Sequence, residues 1–284
     1  MTAQGTGPRL QAGDQLPPYR VRAHNASTQS ENKIHDDTVA KQYGFAGGLV
    51  PGVTVFAYMT RPVVEAFGPE WLERGRMDAR FLKPFYEGEQ ATVSATVREV
   101  GTDGPVLELV ATNESGATCA VGSAGWLPAD SVAPSAAFYS DRPLPSPRPG
   151  AAAEWFRANR ELGSLHETWS AGESNETFLA EIADDLELWR GLQATAHPGY
   201  LIRKANSILA SNVLLGPWIH VSSDVAYLGL LHDGDPMITR GRVTDVFERK
   251  GHEFVELDVV VFGRDDQPVM RATHTAIYRP RKVG

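Results

Sequence analysis

Two stretches decide how this chain folds. The first is GGLVPGVTVFAYM, residues 47–59, and the second is ATAHPGYLIRKANSIL, residues 194–209. Each runs from a loop through Pro-Gly into an apolar segment. Pro51 and Pro198 suit a first helical turn, where a missing N–H costs nothing. Gly52 and Gly199 are 147 residues apart. Farther along, Glu87-Gly88-Glu89 matches Asp233-Gly234-Asp235 at an offset of 146, and ATVREV (95–100) matches GRVTDV (241–246) at 146 again. A spacing this constant indicates a duplicated unit.

Each unit reads as one long helix followed by strands. In the first, Val53, Val55, Phe56, Ala57, Tyr58, Met59, Val63 and Val64 leave almost no polar face, so the helix is buried on most sides. Pro62 is expected to kink or end it, and Gly68-Pro69 to close it. Strands are expected over 79–86, 91–100, 105–112 and 117–127. Val93, Ala95 and Val97 alternate with polar residues, and turns fall at Thr102-Asp103-Gly104 and Asn113–Gly116. The second unit repeats the order, with a helix from 198 to about 214 and strands near 219–230, 236–248, 252–262 and 268–279. A buried helix wrapped by an antiparallel sheet is the hotdog arrangement. Two in one chain make an α+β double hotdog, whose sheets can join edge to edge. The alternative is two separate α+β domains.

The division is expected as 1–127, a linker 128–150, and 151–284. Six prolines between Pro128 and Pro149 forbid a helix in the linker. At about 150 residues per domain, 284 residues leave room for two such units. Trp155, Phe156, Trp169 and Trp189 are expected to cover the second half. Apolar residues make up 42% of the chain, too many for a disordered protein, and the lone Cys119 excludes a disulfide scaffold. With 27 Lys and Arg against 35 Asp and Glu, the net charge of −8 argues against nucleic-acid binding. The absence of an apolar leader or span leads us to expect a cytoplasmic protein with no membrane partner.

Chemistry concentrates in ASTQSENKIHDDTVAKQYGFAGGLVPG, residues 26–52. It sets Ser30, Glu31, Asn32 and His35 just before a glycine-rich turn (Gly47, Gly48, Val50) that opens a helix at Gly52. A helix N-terminus offers free N–H groups to an oxyanion. His35 can move a proton at neutral pH, a buried Glu31 can serve as acid or base, and Asn32 can orient a water or carbonyl. Asp36 and Asp37 read as helix-capping acids rather than metal ligands, and no metal is expected. The second unit has no equivalent cluster. His197 precedes its helix, and His220, His232, His252 and His274 are spread over strands and turns, with His274 in phase with Met270, Ala272 and Ala276.

The stretch resembles the signature of the MaoC-like, (R)-specific enoyl-CoA hydratases: Asp-x-Asn-Pro-x-His, an Ala-containing helix, Gly-Phe, and a helix-start Gly. Asn32, His35, Ala40, Gly44-Phe45 and Gly52 match it. The resemblance is best over 20–127. It implies a hydratase or dehydratase of an acyl-CoA or acyl-carrier-protein thioester, without a cofactor, in which His35 is the acid/base, Asn32 its support and Gly52 the oxyanion donor. Glu31 would share the proton work, and Ser30, Gly47, Gly48 and Val50 would line the substrate. A homodimer is compatible with it. Ser30 stands where the signature has its catalytic Asp, Lys33 where it has Pro, and Glu31 comes one residue late. Two alternatives follow from that loss: a hotdog thioesterase, or a non-catalytic acyl binder.

Overall fold

The computed structural model describes residues 10–282. Ten strands form one antiparallel sheet in the order β1-β3-β4-β5-β2-β7-β10-β9-β8-β6. The first half supplies β1 (Tyr19–Arg22), β2 (Gly75–Phe81), β3 (Gln90–Gly101), β4 (Gly104–Thr112) and β5 (Thr118–Trp126). The second supplies β6 (Leu165–Thr168), β7 (Ile219–Tyr227), β8 (Pro236–Arg249), β9 (His252–Phe262) and β10 (Pro268–Arg279). The two sequences of strands mirror each other element by element, as a duplicated unit requires. They meet where β2 pairs with β7, and there Asp78 lies opposite Asp224. Those two residues are themselves 146 apart. The repeat therefore brings an equivalent position against itself, which is the condition for an approximate twofold axis at the joint. Joining the halves this way removes two open sheet edges. This is the double hotdog.

Each half wraps one long helix, α2 (Gly52–Phe67) and α6 (Pro198–Asn212), and the two helices pack together inside the sheet. Before α2 comes the short α1 (Asp37–Lys41), and α3 (Trp71–Arg74) follows it. The second half adds α4 (Ala153–Ala158) and α5 (Glu173–Ile182). Phe56, Tyr58, Met59 and Val63 of α2 are fully buried, and Ala91, Val93, Ala95 and Val97 of β3 point at it. That contact follows from the alternation.

Three points differ from expectation. Pro62 neither ends α2 nor breaks it, and the helix continues to Phe67 with Gly68 at φ +71 as its cap. Burial on most sides holds the helix through the lost bond, since tertiary packing supplies most helical stability. The strand expected over 79–86 is instead β2, ending at Phe81. Leu82 and Lys83 both donate their N–H groups to Cys119 O, and Pro84 has no donor with which to extend the ladder. The four-residue edge strands β1 and β6 were missed, because so short a run carries little periodic signal. The proline-rich stretch, expected as a semi-rigid surface linker, is fastened to the second half at two points. Tyr139 is buried and donates to Asp258 Oδ2 at 2.9 Å, and Ser164 N donates to Arg142 O at 2.8 Å. Phe156, Trp169 and Trp189 lie fully buried in the second half's core, with Trp155 against them. No described helix is long and apolar enough to cross a membrane.

Candidate active site

The glycine-rich stretch folds into a compact loop locked by its own acids. Asp36 caps α1, accepting from Thr38 N and Val39 N. Asp37 Oδ1 accepts from Gly48 N at 2.7 Å. Gly48 cannot be replaced by a larger residue here, since a Cβ would lie 2.1 Å from His35 O. Asn25 Nδ2 donates to that same carbonyl at 2.9 Å. The backbone at His35 is therefore held from two sides before its ring is considered.

The ring is held at both nitrogens. His35 Nδ1 donates to Leu49 O at 2.7 Å, and Asn32 Nδ2 approaches Nε2 at 3.2 Å. The amide orientation of Asn32 follows from its other bonds. Its Oδ1 accepts from Ile34 N and from Trp218 N at 3.0 Å, and its Nδ2 donates to Trp218 O at 3.0 Å. An amide fixed with nitrogen toward His35 makes Nε2 the acceptor and places the ring proton on Nδ1. Burial holds the His35 pKa below the usual histidine value, partly offset by the bond to Leu49. At neutral pH, His35 is thus a neutral imidazole with its basic nitrogen on the side of Asn32.

Two cavities meet at this pair, of about 280 and 260 Å³. Asn32, His35, Pro51, Asn206 and Trp218 line both. The larger has mainly apolar walls, including Phe45, Val50, Phe81, Phe85, Ile219 and Ile277, with exposed Lys83 at its rim. Among its described residues there is no carboxylate. Gly52 opens α2 against this cavity, and no side chain caps that helix. Free N–H groups and the positive end of the helix dipole therefore meet an apolar space, a setting that favours developing negative charge.

The sequence-predicted residues separate into groups. His35, Asn32, Gly52 and Val50 share the larger cavity. Ser30 and Glu31 line only the smaller one. Ser30 Oγ donates to Asn32 O, and Glu31, its side chain 80% exposed, is ion-paired with Arg148 at 3.2 Å. Gly47 and Gly48 line neither cavity and instead shape the loop beneath His35. Arg80 is on the far face of the sheet, and Arg203 lines the smaller cavity, bonded to Glu181.

Sequence reasoning missed Trp218, His220 and Asn206, all from the second half. His220 is 5% exposed and lines the larger cavity beside Gly52; a Cβ at position 52 would lie 2.9 Å from its Nδ1. Strict alternation along β7 from the inward-facing Ser223, Val225 and Tyr227 would turn Val221 inward and His220 out. The pairing to β10 instead slips where Ala276 faces His220 and Thr275 faces Ser222. That bulge reverses the parity and turns His220 inward. No residue pattern announces it. His197, by contrast, is a helix cap, accepting from Gly199 N and pairing with the buried Asp184.

No protein-family description matches the chain, and no curated protein does. Solved structures do. A Chloroflexus aurantiacus J-10-fl protein described as a MaoC domain dehydratase superposes with a TM-score of 0.62 at 12% identity, covering 99% of this chain and all of the other. A Mycobacterium tuberculosis protein with a double hotdog fold gives 0.61 at 15% identity, over 95% of this chain and 98% of that one. A Lactobacillus plantarum protein described as an oleoyl thioesterase gives 0.52 at 11%, with 95% and 98% coverage. At such identities the likeness establishes the fold alone, and the fold hosts both kinds of chemistry.

Proposed function

We propose that this chain adds water to, or removes it from, the double bond of an enoyl thioester carried on CoA or a carrier protein. One observation carries the proposal: a neutral His35, oriented at both nitrogens, shares an apolar cavity with the uncapped start of α2 at Gly52. In the hydration direction, His35 Nε2 takes a proton from water as its oxygen bonds to the β-carbon, and charge moves onto the thioester oxygen at Gly52 N–H. The α-carbon then takes the proton from His35. The water must displace the 3.2 Å contact from Asn32, the longer of the two bonds holding the ring. With Ser30 bonded to the backbone and Glu31 to Arg148, His35 does the proton work without a carboxylate in the larger cavity.

Crotonyl-CoA tests this. Loss of enoyl absorbance without free thiol supports hydration, thiol release supports a thioesterase, and binding without either change supports an acyl binder. His35→Ala should lower hydration by about 10²–10⁴-fold, the usual worth of a general acid/base. Unchanged turnover in that variant refutes the assignment.

A further inference from the structure

We infer that His220 is a second catalytic residue of this site, donating from Nδ1 to the thioester oxygen beside the Gly52 N–H. The inference rests on the hydratase reading above and deepens it. It is carried by a buried polar chain that the proton chemistry of His35 leaves unused. His220 Nε2 is 2.8 Å from Ser223 Oγ, which is 3.0 Å from His274 Nδ1. The two rings lie 4.2 Å apart, and Phe81 packs edge-on against His220. Both ends of the chain, His220 Nδ1 and His274 Nε2, are buried without a partner.

Ser223 has one proton and can give it to only one ring. If it donates to His274, then His274 must carry its own proton on Nε2. That nitrogen is fully buried and unpartnered, and an orphaned buried N–H is rare because it is costly. If Ser223 donates to His220 Nε2 and accepts from His274 Nδ1–H, the far end is a bare acceptor and the His220 proton sits on Nδ1. Of the two rings, His220 lines the larger cavity and His274 lines neither cavity of the site, so a substrate oxygen that displaces the cover over the buried Nδ1 completes the bond at the His220 end. Burial drives the pKa of His220 well below the usual value and that of His274 to about 3. His220 therefore serves as a neutral donor and keeps its proton.

The steps balance. As the water oxygen bonds to the β-carbon, the π pair of the double bond moves toward the carbonyl carbon and the carbonyl pair onto oxygen. Gly52 N–H and His220 Nδ1–H hold that enolate. The carbonyl reforms as the α-carbon takes the proton that His35 removed from water. Both imidazoles end as they began, and all atoms of the water are in the product.

The test compares wild type, H220L and H220N, whose amide nitrogen can reproduce a donor near Nδ1. With crotonyl-CoA, H220L should lose about 10²–10³-fold in kcat, as for a lost oxyanion donor, while KM moves within about threefold. H220N should recover at least about tenfold of that loss. Two readouts do not need turnover. Bound 2,4-hexadienoyl-CoA, a conjugated thioester, should shift its absorbance to longer wavelength through carbonyl polarisation, and H220L should abolish the shift. In wild type, ¹⁵N NMR of labelled histidine should find the His220 proton on Nδ1. If wild type hydrates crotonyl-CoA and H220L does so within about threefold of it, the inference fails while the hydratase reading stands. If wild type does not hydrate, that reading fails, and the dienoyl shift with its loss in H220L still supports the donor. A proton on Nε2, or a bound dienoyl thioester whose spectrum does not depend on residue 220, overturns the inference even where H220L does not fold.

Discussion

Replacing Gly52 by alanine tests the helix-start site most directly, because the structure supplies the size of the perturbation. A Cβ there would stand 2.9 Å from His220 Nδ1, 3.1 Å from its Cβ and 3.2 Å from its Cγ. Ordinary contact needs about 3.5–4.0 Å, so the helix start or the His220 ring must move by roughly 0.5–1 Å. The ring cannot swing aside, being fixed by Ser223 and packed on Phe81 and His274. Overpacking of this kind costs about 1–3 kcal/mol. For a protein of 284 residues that is a fall of roughly 2–5 °C in Tm. The same displacement moves the Gly52 N–H away from the substrate oxygen, and misplacement by about 1 Å costs near 10²-fold in rate. Thermal melting and the crotonyl-CoA assay read the two effects separately. A lower Tm with native kcat refutes the oxyanion role and leaves the packing argument. A native Tm and kcat together refute both.

Other outcomes follow from the same geometry. Asn32→Asp keeps the acceptor facing Ile34 N and Trp218 N but turns the donor facing His35 Nε2 into an anionic acceptor. The His35 pKa should rise, since an adjacent negative charge favours imidazolium, so hydration should fall at pH 7 and recover as pH rises; a histidine NMR titration that does not move upward contradicts the assigned amide orientation. Burial holds the pKa values of His35, His197 and His220 below the unfolded value, and that of His274 at about 3. The unfolded chain therefore binds more protons below about pH 6.5, and the stability these residues contribute, intact above that pH, is lost on acidification. Urea midpoints should decline between about pH 6.5 and 4, above the range where depressed carboxylates such as Asp184 and Asp258 act; a flat profile there contradicts the burial of these rings. Glu31→Gln removes an exposed ion pair with Arg148, so stability should change by less than about 1 kcal/mol and kcat by less than about threefold; a larger loss of kcat would return Glu31 to the reaction.

The readable features of this chain share one property: each depends on neighbours in the sequence. The α2 pattern, the turns at Gly104 and Gly116, and the capping role of Asp36 are all decided by residues a few positions apart, and all stand in the structure. The repeat extended that reach to 146 residues, because duplicated units preserve spacing, and it placed nearly every strand of the second half. The His35–Asn32 pair was legible for the same reason. Three positions apart, they bracket a single turn of 3₁₀-helix, Lys33–His35, whose cap is Asn32 itself.

What only the tertiary structure decided lies across the joint between the halves. Asn32 finds its strongest fixed points on Trp218, 186 residues away, and no local rule pairs them. Glu31 looked like a spare acid in the sequence, but the strap from the linker brings Arg148 to it and leaves it in solvent. His220 reaches the cavity only because a bulge reverses the parity of β7. A bulge is set by how two strands fit over a twisted sheet and not by the residues of either one. Sequence alone determined the double unit, its helices and the loop that carries His35, since local geometry and a constant repeat suffice for those. The second wall of the site, with Trp218, Asn206 and His220, awaited the packing of one half on the other, because long-range contact is the one quantity that spacing along a chain does not encode.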